Sequence, residues 1–276
     1  MIQEVATGIY TSDHPVADGK NGIVFGERMV VCVDTGDGAD DGRRMVEFVR
    51  GQGRRADWLV LTHSHGDHVL GGAAFADALV FGHALVREGI ESEAPRLAER
   101  LGTSVDDLGA MLPWPAVTFT HEARLDLGGR HVRLFHAPGH SPDSICALVE
   151  EDGVLFGGDT AVTGIVPAFS SGNSAELEAT LRRLAAIPVE VLVAGHGPVL
   201  RGRSRIREWL TWMADYVAGV REYVARGVRA GRSEDEILQR LDFDSLIGGR
   251  LEHEPHGMLR RHQNTARALY RELART

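Results

Sequence analysis

One heptapeptide constrains this chain more than any other feature. Thr62-His63-Ser64-His65-Gly66-Asp67-His68 places three histidines and one aspartate within six positions, directly after the short apolar run Trp58–Leu61. At the chain's own histidine and aspartate frequencies, such a fixed pattern arises by chance in about two chains per thousand. In extended backbone, side chains two residues apart point the same way, so His63 and His65 can grip one cation. The turn at Gly66 re-aims the chain, and Asp67 and His68 can then face a second cation nearby. Imidazole nitrogen and carboxylate oxygen suit zinc, and also iron or manganese. An exposed polar loop is the competing explanation, and the buried strand in front of the motif argues against it.

Three further segments repeat the same logic. His140 stands in Ala137-Pro138-Gly139-His140-Ser141-Pro142, after a strand-like stretch at 131–136. Asp159 stands in Phe156-Gly157-Gly158-Asp159-Thr160, after a strand at 154–156. His196 stands in Ala194-Gly195-His196-Gly197-Pro198, after a strand at 189–193. Each is a single ligand-type residue at a strand end, flanked by Gly or Pro, which lets backbone approach a metal and holds the ligand stiffly. Singly each is weak; together, four such loops predict a site assembled along one edge of a sheet. Two divalent cations about 3.5–4 Å apart can share one water and activate it for attack on a carbonyl carbon or on phosphorus. The chain has no Gly-x-Ser-x-Gly elbow, so no serine nucleophile is invoked. Asp67 is the residue expected to receive or pass a proton.

The order of these residues resembles the metallo-β-lactamase-fold superfamily over about residues 5–200: a His-x-His-x-Asp-His run, a later His, a later Asp and a last His. The resemblance implies an α/β chain folded as a four-layer αβ/βα sandwich with metals at one sheet edge. By motif position it implies that His63, His65 and His140 hold a first metal, that Asp67, His68 and His196 hold a second, and that Asp159 bridges them. Asp34, at the end of its own strand, matches a position behind the ligands that orients one of them. A bridging aspartate is generally lacking in true β-lactamases of this fold. Its presence resembles the branch holding glyoxalase II, lactonases, other ester and thioester hydrolases, and nucleases. The resemblance thus implies a dinuclear hydrolase, with two divalent ions, zinc first, acting on a carboxylic ester, thioester or lactone. Two alternatives stay open: a phosphodiesterase or RNase of the same fold, and an oxygenase like the mono-iron persulfide dioxygenases. Diiron flavoproteins place Glu where this chain has His65.

Charge narrows the partners. A formal net charge of −9 argues against nucleic acid and anionic membrane. Residues 201–232 depart from it, with eight Arg against Glu208, Asp215 and Glu222. That block reads as a solvated helix face or an anion-reading patch. No apolar run approaches the ~20 residues of a membrane helix, and no secretory leader is visible, so a cytoplasmic protein acting on a small-molecule ester or thioester is expected. A homodimer stays open. Cys32 and Cys146 sit in apolar runs and read as inert buried thiols.

Two regions are expected: a catalytic domain over 1–202 and a helical C-terminal region over 203–276 packed on it. In the first, strands are expected at Leu79–Phe81, Val117–Thr120, His131–His136, Ile145–Val149, Val154–Phe156 and Val189–Val193, and a helix at 39–52. Asn173 with Glu176, and Ser233 with Glu236, have the spacing of capping boxes. Residues 85–112 read as an inserted helical stretch whose tip, Met111-Leu112-Pro113-Trp114, either overhangs a pocket or packs as a surface helix pair. Ile206, Leu210, Met213, Val217, Val220 and Val224 recur at helical spacing, and a last helix runs from about Leu259 to Leu273. No strand pattern follows residue 245, which counts against a nuclease with a winged-helix tail. His253, His256, Arg260, His262 and Asn264 form a polar cluster there. Since glyoxalase II holds its substrate with a C-terminal helical region, the cluster resembles a specificity region.

Overall fold

The structure is a computed structural model that describes residues 1–168, 172–248, 251 and 258–274. Its first sheet has seven strands in sequence order: β1 (Ile2–Ala6), β2 (Ile9–His14), β3 (Gly19–Phe25), β4 (Val30–Val33), β5 (Trp58–Val60), β6 (Leu79–His83) and β7 (Val117–Phe119). The pairs up to β3–β4 are antiparallel; those from β4 to β7 are parallel. The second sheet has six: β8 (Glu122–Asp126), β9 (His131–His136), β10 (Ile145–Val149), β11 (Val154–Phe156), β12 (Val191–Val193) and β13 (Leu200–Arg201). Only β11 and β12 run parallel within it.

Alternation along the strands dictates how the layers stack. Val31, Val33, Val60, Leu134, Ala147, Val149, Phe156 and Val193 share one core between the two sheets. Their neighbours point the other way. On the first sheet, Val30, Cys32 and Leu59 meet Met45 and Val49 of α1 (Ala39–Gly51), beyond which come α2 (Gly66–Val69), α3 (Val86–Leu101), contributing Ile90 and Leu97, and α4 (Val105–Gly109). On the second, Phe135, Cys146, Leu148 and Leu192 meet Leu177 and Leu181 of α5 (Ser174–Ala185) and Leu210 and Met213 of α6 (Arg203–Arg229). The result is helix, sheet, sheet, helix, the αβ/βα sandwich. A one-residue slip of any such strand would exchange its two buried sets, each side chain worth about 1.5–3 kcal/mol of burial.

The C-terminal helices α7 (Glu234–Gln239), α8 (Phe243–Ile247) and α9 (Met258–Leu273) extend the α5–α6 core through Ile237, Phe243 and Leu269. The described elements after Arg201 are all helical. None is long and apolar enough to cross a membrane.

Local expectations fare unevenly. β8 and β13 carry no apolar alternation strong enough to announce them: in β8 only Leu125 is buried. Ser233 and Glu236 form a complete capping box. Asn173 caps α5 by accepting from the N–H groups of Ala175 and Glu176. Its own N–H instead donates to the Gly139 carbonyl at 3.0 Å, so that box is half formed. The 111–114 tip docks rather than overhangs: Leu112 is buried with the α3 core, and the Trp114 indole donates to Gly109 at 2.8 Å. Both cysteines are buried and free, and burial pushes each thiol up to about 12.

Candidate metal centre

Strand ends deliver the site. Asp34 follows β4, His63 and His65 follow β5, and Asp67 and His68 lie on the one-turn α2. His140 follows β9, Asp159 sits in a short 3-10 turn after β11, and His196 follows β12. β4 and β5 are parallel, as are β11 and β12, so these ends open on one edge of the sandwich.

The seven predicted ligand residues converge. Ligand atoms of His63, His65, His140 and Asp159 lie within 4.8 Å of one another, as do those of Asp67, His68 and His196. Asp159 links the two sets. Its Oδ2 is 3.6 Å from His140 Nε2, while its Oδ1 is 3.3 Å from His68 Nε2 and 3.2 Å from His196 Nε2. Asp67 Oδ2 lies 3.3 Å from His196 Nε2.

A ring of outer contacts aims these groups. The Asp34 carboxylate accepts from Thr62 N–H and Oγ1, both at 2.7 Å, and meets His68 Nδ1 at 2.9 Å. That leaves His68 Nε2 pointing at Asp159. Thr62 Oγ1 stands 3.1 Å from His63 Nδ1, and the Ala168 carbonyl accepts from His140 Nδ1 at 2.7 Å. The inward atoms are orphaned: His63 Nε2, His68 Nε2 and Asp159 Oδ1 are buried without a hydrogen bond. A buried polar atom left unpaired costs about 1–3 kcal/mol. Several converging on one point fit a cation cradle, and the donor set is the nitrogen–oxygen mixture that zinc accepts.

The electrostatics divide along the same line. Burial drives the His63 imidazole well below its ordinary value and takes His140 to about 3. Burial also opposes charge on His68 and His196, but carboxylates outweigh it. Asp34, Asp67 and Asp159 hold His68 well above the usual range, and Asp159 and Asp67 raise His196 to about 9. Burial pushes the Asp159 carboxyl upward, and His196, His68 and His140 together pull it well below the usual range. The carboxylates thus favour positive charge at His68 and His196, and cations would compete with protons for the same atoms.

One histidine escaped the sequence reading. His14 ends β2, is 3% exposed, and has both ring nitrogens buried without a hydrogen bond. Its ring centroid lies 6.5 Å from that of His68 and 6.2 Å from that of His196. The available signal was the same one used elsewhere, a histidine at a strand end beside Pro. The turn beyond it braces the His196 loop: Lys20 N–H donates to the Gly195 carbonyl at 2.8 Å, and Gly197 N–H to the Asp18 carbonyl at 3.0 Å.

The expected C-terminal cluster does not assemble as the sequence suggested. His253 and His256 lie outside the described residues. Arg260 is exposed. His262 turns into the core, 1% exposed, its Nδ1 bonded to the Tyr216 hydroxyl at 2.5 Å and its ring against Phe243. Asn264, exposed, borders the cavity instead, with Arg261 and Arg271: all three line a space of about 460 Å³ that is floored by His65, Asp67, His140, Asp159 and His196. Residues 85–112 do not line it. α3 instead flanks a neighbouring cavity of about 260 Å³ that shares His65.

A family model described as the metallo-beta-lactamase superfamily matches residues 21–196, more than half the chain. The chain belongs to the metallo-beta-lactamase superfamily. Within that superfamily it is similar to a linear primary-alkylsulfatase from Pseudomonas sp., 22% identical over 80% of this chain and 49% of the relative. It is also similar to an atrochrysone carboxyl ACP thioesterase from Passalora fulva, 28% identical over 80% of this chain and 62% of the relative. The chain therefore spans about half to three-fifths of the length of these curated relatives. Among solved structures, the stereoselective inverting sec-alkylsulfatase from Pseudomonas sp. superposes with a TM-score of 0.74 at 17% identity, over 98% of this chain and 50% of that one. That likeness shows the shared fold, and it extends through the C-terminal helices.

Proposed function

We propose that this superfamily member is a dinuclear metal-dependent hydrolase, zinc-loaded, that cleaves a carboxylic ester, thioester or lactone. The observation that carries the proposal is Asp159, which presents one carboxylate oxygen to each of two separate ligand sets. His63, His65 and His140 would hold one cation, Asp67, His68 and His196 the other. Two divalent cations in those positions supply a Lewis acid and a water acidified to about neutral pH.

The chain's own groups do the rest. Asp34 and the Ala168 carbonyl fix the tautomers of His68 and His140, so that each presents Nε2 inward. The two carboxylates differ in access: the Asp67 side chain is 19% exposed against 8% for Asp159. Asp67 therefore faces the cavity and can accept a proton from an attacking water or pass one to a departing group. The thioesterase relative is consistent with carbonyl chemistry at this centre.

A second reading is cleavage of a sulfate ester. It is favoured by the alkylsulfatase likeness over most of the chain and by the arginines in the cavity wall. Phosphodiester and RNA cleavage fit less well with a net charge of −9.

Metal analysis paired with a panel of thioester, lactone, carboxylic ester, alkyl sulfate and phosphodiester substrates tests the proposal. About two zinc ions per chain and carbonyl-ester turnover are expected. Chelation should abolish turnover and added Zn(II) restore it, and His65→Ala should reduce it by orders of magnitude while the protein stays folded. One iron per chain with oxygen uptake would replace the hydrolase by an oxygenase.

A further inference from the structure

Helix α9 turns one face to the metal cavity. Arg261, Asn264, Thr265, Ala268 and Arg271 line it, at the three- and four-residue steps of a single helical face. The face is locked to the centre through one strip of backbone. Arg261 Nε donates to the Val166 carbonyl at 2.7 Å, and Thr265 Oγ1 to the Pro167 carbonyl at 3.0 Å. The next carbonyl, Ala168, accepts from His140 Nδ1. The α9 face is thus one residue removed from a candidate ligand, and it is held there by hydrogen bonds.

Arg261 has work left undone. Its Nε is committed to Val166, but no carboxylate of the described residues pairs with its guanidinium. By contrast, Arg267 of the same helix, which does not line the cavity, pairs with Glu234 at 3.4 Å. Arg261 is half-buried in the cavity wall, and it feels the charges of Asp159 and Asp67. Those two carboxylates belong to the ligand sets, so bound cations would neutralise them. What then faces the cavity is a planar fork of donors with no anion, beside the Asn264 amide and with Arg271 at the rim. Such a fork matches a carboxylate, sulfate or phosphate through paired hydrogen bonds.

We propose that the α9 face carrying Arg261 is an oxyanion-recognition subsite, and that the substrate is an ester bearing an anionic carboxylate, sulfate or phosphate group in addition to the bond that is cleaved. The identity of the cleaved bond rests on the hydrolase proposal; the existence of the subsite does not. A cavity of about 460 Å³ is of the size that encloses a small molecule spanning both ends.

Two measurements on zinc-loaded protein test this. The first is calorimetric binding of glutarate, methyl sulfate and methyl phosphate, with glutaramide as the neutral control. At least one oxyanion should bind one-to-one where glutaramide does not, and the tightest names the class. Arg261→Gln should weaken it about tenfold to a hundredfold, the range of a charge-assisted pair. Arg271→Gln, at the exposed rim, should weaken it about threefold. The second is turnover of two thioesters of one thiol, one glutaryl and one its uncharged amide analogue. Wild type should favour the charged one at least tenfold in kcat/KM, through KM, and Arg261→Gln should collapse the ratio.

Equal oxyanion affinity in wild type and in a folded Arg261→Gln would overturn the subsite, leaving the cations as the anion's only partner. So would a thioester ratio near one in wild type. If neither thioester is cleaved, the hydrolase proposal fails on that bond, and the binding measurement still decides the subsite. If Arg261→Gln melts early through loss of the Val166 bond, the wild-type ratio and Arg271→Gln decide it.

Discussion

Gly195→Ala is the sharpest mechanical test of the centre. A methyl group built at 195 would lie 2.2 Å from Asp159 Oδ1, 2.6 Å from the Gly158 carbonyl carbon and 2.7 Å from its oxygen. Comfortable non-bonded separations are about 3.5 Å, so roughly 1 Å must open. The backbone cannot supply it cheaply. Gly195 N–H donates to the Gly158 carbonyl at 2.8 Å and to the Ala161 carbonyl at 3.2 Å, and the Gly195 carbonyl accepts from Lys20 N–H. The side that can give is the Asp159 carboxylate, the group shared by both ligand sets. Overpacking of this kind costs about 1–3 kcal/mol, which for a chain of this size lowers Tm by roughly 2–12 °C. Moving a linking carboxylate should weaken cation binding at least as much as losing an outer contact does, about 10–100-fold. Reconstituted and dialysed Gly195→Ala should therefore retain about one zinc ion or fewer per chain where wild type is expected to keep two. Gly51→Ala is the control: nothing lies within 4 Å of a methyl group there, at the end of α1, and the change is expected to stay within about 1 kcal/mol. Gly195→Ala with full zinc and the melting point of the control would refute the close packing of this loop on Asp159.

His14→Ala should weaken the more loosely held zinc about 10–100-fold while leaving the other in place; equal loss of both in a zinc titration would place His14 elsewhere in the network. Acid sensitivity should come in part from His262, whose ring burial takes to about 4. The folded value lies below the unfolded value of about 6.5, so the unfolded chain binds the proton first. Its contribution is fully present above about pH 6.5, falls as pH drops toward 4, and amounts to roughly 2 kcal/mol once partial screening is allowed for. Melting curves from pH 7 to 4 should show a shallower decline in His262→Gln than in wild type, and parallel slopes would exclude this histidine. Tyr216→Phe removes the partner of His262 Nδ1 and should lower stability by about 1 kcal/mol, measured by urea unfolding.

The converging His and Asp residues were readable because each is announced locally. A short buried strand, a Gly or Pro, and one ligand-type side chain suffice at His140, Asp159 and His196, and tertiary structure only has to bring the strand ends to one edge. Asp34 follows the same rule. His14 stands at a strand end beside Pro as well. Its burial depends on Gly19 leaving room for the ring, a contact between neighbouring strands that no local pattern encodes. The layers were legible for a similar reason: Val30-Val31-Cys32-Val33 must be buried on both faces, and only a sheet covered by another sheet and by helices does that. β8 and β13 stayed hidden because they lie at sheet edges, where few side chains need burial.

The C-terminal helix shows where such reading stops. Arg260, Arg261 and His262 are consecutive, polar and basic, and nothing in their composition distinguishes them. Successive residues on a helix are about 100° apart, so the rotation of α9 decides their fates. One is exposed, one enters the metal cavity, and one is driven into the α6–α8–α9 core. That rotation is set by Ala266 and Leu269, buried against α6, and by the Thr265 and Arg261 bonds to the 166–167 backbone. Ala266 and Leu269 are three apart, and the core-facing His262 lies four before Ala266. That 262–266–269 stripe identifies the inward face, and a face offset from it by one residue holds Arg261, Thr265 and Ala268. Helical offset therefore carries the information that residue type lacks. A helix whose apolar stripe is read first yields its cavity-facing residues as those one position out of phase, and here that shifts the cavity-facing position from Arg260 and His262 to Arg261.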